Sequence, residues 1–319
     1  MFHDPSARQL KRSGKSGLSR DRQYLLMMLP VLIVLILNDY LPMFGIVVAF
    51  QDIRYGNGLI QGILHGKWVG LKNFEFFTAT PDAFLITRNT VLYNGAFIVL
   101  DLVFSVGLAY LIHELGNRRL SNMFHTIILM PHFLSFVVVS YIVYAFLHVE
   151  LGFVNRLLQS FPGADPVRWY QEPAYWPFIL SLVHVWKYVG YNSIVYLAAL
   201  KSIDPQLYEA ATIDGAGKWK QARHVTLPLL VPLMIVLTLL EVGKIFYSDF
   251  GLFYQVPLDS GPLFPVTNVL DTYVYRSLVN MGDISMAAAA GVYQAFVGFV
   301  LVLGANWLVR RYDKSYSLF

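Results

Sequence analysis

Long apolar runs separated by short polar segments are the main feature of the chain. A helix needs about 20 mostly apolar residues to cross the roughly 30 Å hydrocarbon core, and it satisfies its own backbone hydrogen bonds there. Runs of this length lie at about residues 24–50, 89–112, 124–147, 174–200, 225–246 and 284–309. The pattern predicts an all-α fold class, a polytopic membrane helix bundle with six transmembrane helices. It lacks the alternating segments of about ten residues that are typical of outer-membrane barrels.

The composition agrees with a membrane protein and excludes several other classes. The 319 residues are 56% hydrophobic and 14% charged, whereas soluble domains average about 45–50% apolar and about 25% charged residues. A soluble enzyme, a nucleic-acid-binding protein and a disordered chain do not fit these values, so the expected surrounding is a lipid bilayer and no nucleic-acid partner is expected. The chain contains no cysteine, which excludes disulfides and thiolate metal sites, and no metal site is predicted.

The distribution of Lys and Arg predicts the orientation in the membrane, because cytoplasmic segments carry an excess of these residues. With the N-terminus inside, the inner segments hold 15 of the 24 basic residues and the outer loops hold 7. The inner segments are 1–23, 113–123, 201–224 and 310–319. We therefore expect cytoplasmic N- and C-termini, with an N-terminal segment at 1–23, a transmembrane domain at 24–310 and a tail at 311–319. A removable signal peptide is not expected, since a polar stretch precedes the first span.

The inner loop at 201–224 has the signals of a short helix. Asp204 is a good N-cap and Pro205 a good first helical residue, and Gly215 can adopt the left-handed conformation that ends a helix. The pattern predicts a short helix on the cytoplasmic face, with Tyr208, Glu209 and Asp214 partly exposed. The alternative is an interfacial helix that only connects two spans.

Several motifs in and around this loop resemble the EAA signature of bacterial ABC importer permeases. Glu209-Ala210-Ala211 is followed by Gly215 and by Leu227-Pro228, although Val225 stands where the signature has Ile. The longer string 191–230 is similar to the carbohydrate branch of that family, the six-span permeases for complex sugars. Further similar motifs are the segment 69–77, Asn89-Thr90, Pro131 and Ser135. The resemblance extends from about residue 24 to the C-terminus.

The resemblance implies an ABC importer type I permease-like fold in the cytoplasmic (inner) membrane and a role for the loop. The loop would be the coupling helix that docks in a cleft of an ATPase subunit. Glu209 would meet a basic residue there, the two alanines would allow close approach, and the glycine would permit the turn. The coupling residues implied are Tyr208, Glu209, Ala210, Ala211, Asp214 and Gly215.

The resemblance also implies partners. They are a second homologous permease subunit in a heterodimer, two ATP-binding cassette ATPase subunits, an extracytoplasmic solute-binding protein and a sugar substrate. No cofactor is expected in this chain, because ATP and Mg²⁺ belong to the ATPase subunits, and the chain is not expected to be an enzyme. The GAGK segment at 215–218 lacks the glycine spacing of a phosphate-binding loop, and Trp219 stands where that loop has Ser or Thr.

Ionisable residues inside a bilayer are candidates for a substrate route, because burying them in lipid is costly. Lys187 lies near the middle of the fourth run with no carboxylate within one helical turn. Glu241 and Lys244 lie in the fifth run, where an internal ion pair is the alternative. Sugars also need aromatic faces and hydrogen-bonding groups. The candidate substrate pathway is Lys187, Tyr191, Asn192, Glu241, Lys244, Tyr247, Tyr293 and Gln294.

The expected function is therefore an ATP-driven importer permease that forms half of the pathway for an oligo- or polysaccharide. If Lys187 and Lys244 line the cavity, an acidic, anionic sugar is favoured; a permease for neutral sugars is the alternative. An ion-coupled secondary transporter is another alternative, although no internal repeat is evident. A membrane enzyme would require acid–base or metal clusters, and His113-Glu114 lacks the second histidine of a zinc helix.

Overall fold

The computed structural model describes residues 16–53, 62, 65–79, 81–163, 165–280 and 282–312. Within this part of the chain, helices form almost all of the regular structure. One antiparallel ladder pairs β1 (Gln51–Asp52) with β2 (Lys67–Trp68). Most of the predicted cytoplasmic segments at 1–23 and 311–319 lies outside the described residues.

The helices of the described residues vary widely in length. The longer α-helices are α1 (Ser16–Leu35), α2 (Pro81–Glu114), α3 (Arg118–Leu129), α4 (Phe136–Leu147), α5 (Trp176–Lys201), α6 (Pro205–Ile213), α7 (Leu227–Gly243), α8 (Leu270–Val279) and α9 (Ile284–Tyr312). Short α-helices lie at Leu41–Met43, Phe76–Ala79, Phe153–Gln159, Lys218–Gln221 and Phe264–Thr267. Short 3₁₀ helices lie at Phe44–Phe50, Lys72–Phe74, Met130–Phe133, Trp169–Gln171, Pro173–Tyr175 and Gly261–Leu263, and π-helical turns lie at Ile36–Tyr40, Ala222–Thr226 and Gly251–Gln255.

Four helical segments of the described residues have the length and composition of membrane spans. They are Tyr24–Phe50, Asp82–Glu114, Lys218–Gly243 and Ile284–Arg311. A fifth is present if α3 and α4 together form one bent span. The all-helical architecture agrees with the predicted fold class. The difference from the predicted six spans lies in two places, the α3–α4 pair and α5.

The predicted span at 124–147 is not one continuous helix. The axes of α3 and α4 differ by 98°, and Pro131 lies in the 3₁₀ turn between them. A proline removes a backbone donor and clashes with the preceding turn, which breaks a helix. Ser135 then begins α4, since its hydroxyl accepts a hydrogen bond from the Val138 N–H at 3.4 Å.

The helix α5 occupies the predicted span at 174–200. Its 26 residues extend about 39 Å in an ideal helix, which is long enough to cross a bilayer. Its composition falls short of that of a span because polar residues such as His184, Lys187 and Asn192 interrupt the apolar run. That α5 is a sixth span stays a prediction.

The centre of the bundle is the packing of α2 along α5. Near the start of α5, the shared core includes Tyr93, Phe97, Trp176 and Phe253. Near its end, the core includes Val106, Tyr196, Leu200 and Leu230. The end of the first span packs on α9, where Val48 and Ala49 are buried and the Ile53 N–H donates to Ser285 Oγ at 2.9 Å. The packed α2–α5 pair therefore fixes the positions of the polar residues that these two helices carry.

The helix α5 also approaches α3 closely at Gly190. A Cβ at this position would collide with the carbonyl group of Ile128. Only the absence of a side chain allows the two backbones to come this near, which is the usual role of small residues between membrane helices.

Gly190→Ala is expected to destabilise the protein by about 1–3 kcal/mol, because the added methyl group must displace helix backbone. Gly107→Ala is the matched control, since Gly107 lies in α2 and a Cβ there meets nothing within 4 Å. Thermal unfolding of the detergent-purified protein compares the two variants. Equal midpoints would contradict the close approach at Gly190.

Candidate functional site

A cavity lined by both polar and apolar side chains lies between α2, α5 and the C-terminal part of α7. It has two adjoining chambers of about 310 Å³ and about 210 Å³. Residues from all three elements, among them Asp101, Asn192 and Glu241, line both chambers. Five of the predicted pathway residues line the larger chamber: Tyr191, Asn192, Glu241, Lys244 and Tyr247. The structure therefore brings together residues that are more than 50 positions apart in the sequence.

Tyr191 contributes an aromatic surface to this cavity. Its ring stacks on that of His132, with the ring centroids 4.2 Å apart and the planes inclined by 6°. His132 comes from the turn between α3 and α4, and it also lines the larger chamber. The pair presents a flat apolar face beside hydrogen-bonding groups.

Glu241 and Lys244 form an open charge pair at the rim. Lys244 Nζ lies 4.0 Å from Glu241 Oε1, and the side chains are 69% and 56% exposed respectively. Exposed pairs of this kind contribute only about 0–1 kcal/mol to stability. The predicted alternative, an internal ion pair that stabilises packing, does not match this exposure.

Two further polar pairs line the cavity, and the predicted pathway set did not include them. His184 Nε2 lies 3.0 Å from Asp101 Oδ2, and the His184 ring stacks on Phe97 at 3.9 Å. Tyr188 donates a short hydrogen bond to Asp249. Asp101 and His184 carry a signal in the sequence, because both are ionisable residues within apolar runs. Asp249 has no such signal, since it falls beyond the predicted end of the fifth run.

Lys187 and Tyr293 lie outside the cavity. Lys187 is 4% exposed, and its ammonium group donates to backbone carbonyls of the turn between α3 and α4. Tyr293 stacks on Phe77 with ring centroids 4.4 Å apart and meets Phe246 edge-on. These contacts place both side chains in protein packing.

Gln294, the remaining predicted pathway residue, is buried in a polar network behind Tyr247. Its Nε2 donates to the Asp271 carboxylate at 3.3 Å, and the Ser248 N–H donates to the same carboxylate at 2.6 Å. Burial raises the pKa of the Asp271 carboxyl above its usual value. Asn94 adds a bond to the Ser248 hydroxyl at 3.0 Å. The network fixes the turn that carries Tyr247 to the cavity wall.

A second candidate site is the predicted cytoplasmic helix, which is α6. The Asp204 side chain accepts a hydrogen bond from the Gln206 N–H at 2.9 Å, as predicted for an N-cap. Gly215 has φ +73°. The Ala216 N–H donates to the Ala211 carbonyl at 2.9 Å, and the Gly215 N–H donates to Thr212 at 3.0 Å. This is the Schellman arrangement that ends a helix.

The exposed side of α6 carries Glu209 and Ala210, and it is followed by large apolar side chains. Ile213 is 87% exposed and Trp219 is 78% exposed. Asp214 is also exposed, whereas Tyr208 and Ala211 are half-buried on the inner side. Large exposed apolar side chains on a polar loop are candidates for an interaction surface. Ile213 and Trp219 were not among the predicted coupling residues, although a large apolar residue in a polar loop was a usable signal.

Polar contacts attach α6 to the spans. Tyr208 Oη lies 3.1 Å from Thr226 Oγ1, at the end of the π-helical turn that leads into α7. Gln221 Nε2 donates to Thr212 Oγ1 at 3.0 Å. Lys218 Nζ lies 2.9 Å from Glu114 Oε2 at the end of α2. These contacts join α6 to the turn that leads into α7, and join the short helix Lys218–Gln221 that follows α6 to the end of α2.

The family of the protein follows from its sequence. Residues 101–315, more than half of the chain, match the family described as the binding-protein-dependent transport system inner membrane component. The chain belongs to this family. It is a multi-pass inner-membrane permease component of an ABC importer, in which the ATPase is a separate subunit and the permease carries no cofactor.

Individual relatives extend over nearly the whole chain. Protein LplB of Bacillus subtilis (strain 168) is 33% identical over 308 residues, covering 95% of this chain and 93% of the relative. The polygalacturonan/rhamnogalacturonan transport system permease protein YteP of the same organism is 34% identical over 290 residues, covering 91% and 88%. A crystal structure of a bacterial ABC transporter involved in the import of the acidic polysaccharide alginate is similar in fold, with TM-score 0.82 and 31% identity. The alignment covers 93% of this chain and 98% of that chain.

Gly215→Ala is expected to weaken the end of α6 by about 1–2 kcal/mol, because an L-residue is strained at positive φ. Gly217→Ala is the matched control, since Gly217 has φ −69° and open space for a Cβ. Hydrogen exchange of the amides at 210–216 in the purified complex should accelerate only in the first variant. Equal exchange in both variants would contradict the assigned helix end.

Proposed function

We propose that this permease forms half of the translocation pathway for an acidic oligosaccharide or polysaccharide fragment delivered by a solute-binding protein. The observation that carries the acidic assignment is Lys244, whose ammonium group is exposed at the rim of a cavity that is also lined by aromatic groups, hydrogen-bonding groups and three carboxylates. Two relatives support it, since YteP is named for polygalacturonan and rhamnogalacturonan transport and the matching transporter structure is involved in alginate import.

Of the charged groups that line the cavity, Lys244 is the one that can bind a carboxylate of the substrate. Asp101 is engaged by His184, and Asp249 by Tyr188. Glu241 is close to Lys244, but in an open pair of this kind the attraction is weak. An incoming uronate carboxylate can therefore approach the ammonium group from the cavity side.

The same wall offers the other contacts that a sugar requires. The stacked rings of Tyr191 and His132 provide a flat face for the apolar C–H side of a sugar ring. Asn192 and Tyr247 provide donors and acceptors for hydroxyl groups. A site of this composition holds a sugar loosely, through several weak contacts, and this suits a route through which the substrate must pass.

We propose a second, homologous permease as the partner that completes the pathway. Tyr191, Lys244 and Tyr247 are each close to half exposed or more exposed, so the cavity wall of this chain is open on one side. A homologous subunit with a similar face would close it. The proposed substrate route then lies between the two permeases.

On the cytoplasmic side, the proposed partner of α6 is an ATPase subunit of the same complex. Glu209 would pair with a basic residue in a cleft of that subunit, while Ala210 allows the helix to approach closely. Ile213 and Trp219 would bury their exposed side chains in the same contact. Because Tyr208 binds α6 to the turn before α7, and Lys218 in the next short helix binds the end of α2, closure of the ATPase subunits would move both spans as a lever.

A neutral oligosaccharide is the second candidate substrate. The carboxylates of Asp101, Glu241 and Asp249 on the cavity wall favour hydroxyl-rich neutral sugars over anions. Relatives at lower identity include the arabinooligosaccharides transport system permease protein AraP, at 25%.

Lys244→Gln decides between acidic and neutral substrates. The maximal uptake rate of an oligouronide by the reconstituted complex is expected to fall about fivefold, a loss of about 1 kcal/mol, while uptake of the carboxyl-reduced oligosaccharide is unchanged. Lys201→Gln, at the exposed end of α5, is the matched control. An equal effect of Lys244→Gln on both sugars would contradict the acidic assignment.

Glu209→Lys tests the docking of α6. Substrate-stimulated ATPase activity of the reconstituted complex is expected to fall about tenfold, because like charges would face each other in a contact that excludes water. Glu209→Gln should lower it less, and membrane insertion of both variants should be normal. Wild-type stimulation in the Glu209→Lys complex would overturn the docking proposal.

A further inference from the structure

Lys187 is an unusual residue because it is a buried cation without a carboxylate partner. Its side chain is almost fully enclosed at the middle of α5, with 4% exposure. Among the described residues, no carboxylate oxygen lies within 4 Å of its ammonium group. A buried charge of this kind is strongly unfavourable unless its protons are satisfied.

The protons of Lys187 are satisfied by backbone carbonyls. Nζ donates to the carbonyl oxygens of Leu134 at 2.5 Å, His132 at 3.1 Å and Pro131 at 3.4 Å. The ammonium group also lies 4.8 Å from the centre of the Phe136 ring, a cation–π distance. The three carbonyl groups belong to the break between α3 and α4, and Phe136 is the first residue of α4.

The break exposes carbonyl groups for a physical reason, although the Pro131 carbonyl also accepts a backbone bond from the Leu134 N–H at 3.2 Å. At the end of a helix the last carbonyl groups have no backbone partner, and in a bilayer no water replaces it. The helix dipole also places partial negative charge at this end, which favours a cation. Lys187 therefore replaces hydrogen bonds that the backbone loses at the bend of 98° between α3 and α4.

The same bend positions one wall of the cavity. Lys187 binds the backbone carbonyl of His132, while Tyr191, four residues later on α5, stacks on the His132 ring. Residues four apart lie on one face of a helix. Two side chains of that face thus hold His132 by its backbone and by its ring, directly beside the larger chamber.

We propose that Lys187 is a positioning residue: it fixes the bend between α3 and α4 and so sets the His132–Tyr191 pair at the cavity wall, without touching the substrate. Its effect on transport rests on the proposed function of the cavity. Its effect on the bend does not.

A distance measurement tests the bend directly. The chain has no cysteine, so Ile127→Cys and Tyr141→Cys, both exposed, can carry a pair of spin labels on α3 and α4. The wild-type complex should give a narrow distribution, shorter than the roughly 21 Å backbone separation of these positions in a straight helix. Lys187→Met, which keeps the length and removes the donors, should broaden it and shift it to longer distances.

Lys244→Met is the matched control, because it removes an ammonium group of the cavity that makes no contact with the bend. Its label distances should equal those of the wild type. Should Lys187→Met fail to assemble, Lys187→Gln decides in its place, since it keeps two donors on a shorter side chain and should broaden the distribution partially. An unchanged distribution in an assembled Lys187 variant would overturn the proposal.

Uptake separates a positioning role from direct recognition of charge. Lys187→Met is expected to lower maximal uptake of an oligouronide and of its carboxyl-reduced form by the same factor, about tenfold. A loss restricted to the oligouronide would show that Lys187 binds the substrate and would overturn the proposal. The label distances need no substrate, so failure of the bend and failure of the acidic assignment are distinguishable.

Discussion

The requirement that every backbone polar group finds a partner inside the bilayer governs this structure. Unbroken helices such as α2 and α9 meet it by themselves. The α3–α4 break does not, and it persists because Lys187 on α5 supplies the missing donors to carbonyls such as that of His132. The carbonyl groups of the broken helix thus stabilise the buried charge of Lys187. In return, Lys187 supplies the hydrogen bonds that these carbonyl groups would otherwise lack.

The packing of α2 along α5 is the second constraint on the structure, because the cavity and the region around α6 are both built on this helix pair. Toward one end, the pair carries Asp101, His184 and Tyr188 to the cavity. Toward the other, Glu114 at the end of α2 binds Lys218 beside α6. One packed helix pair therefore connects the proposed substrate route with the region of the proposed ATPase contact.

Local signals in the sequence were sufficient for the cytoplasmic helix. Asp204, Pro205 and Gly215 determine where α6 begins and ends through capping geometry that involves only neighbouring residues. The cavity could be predicted only in part. Tyr191, Asn192, Glu241, Lys244 and Tyr247 do line it, because hydrogen-bonding residues within apolar runs tend to face protein or water rather than lipid. Nothing local indicated that Asp249 would join them.

The sequence by itself determined the membrane environment, the helical class, the family and the bounds of α6, since hydropathy and capping depend on residues close together in the chain. The tertiary structure decided which polar residues meet. Lys187 and Lys244 carry the same signal in the sequence, an ionisable group within an apolar run, yet Lys187 binds the α3–α4 break while Lys244 lines the cavity. The direction of a side chain depends on the neighbouring helix, and that neighbour is set by packing between distant segments.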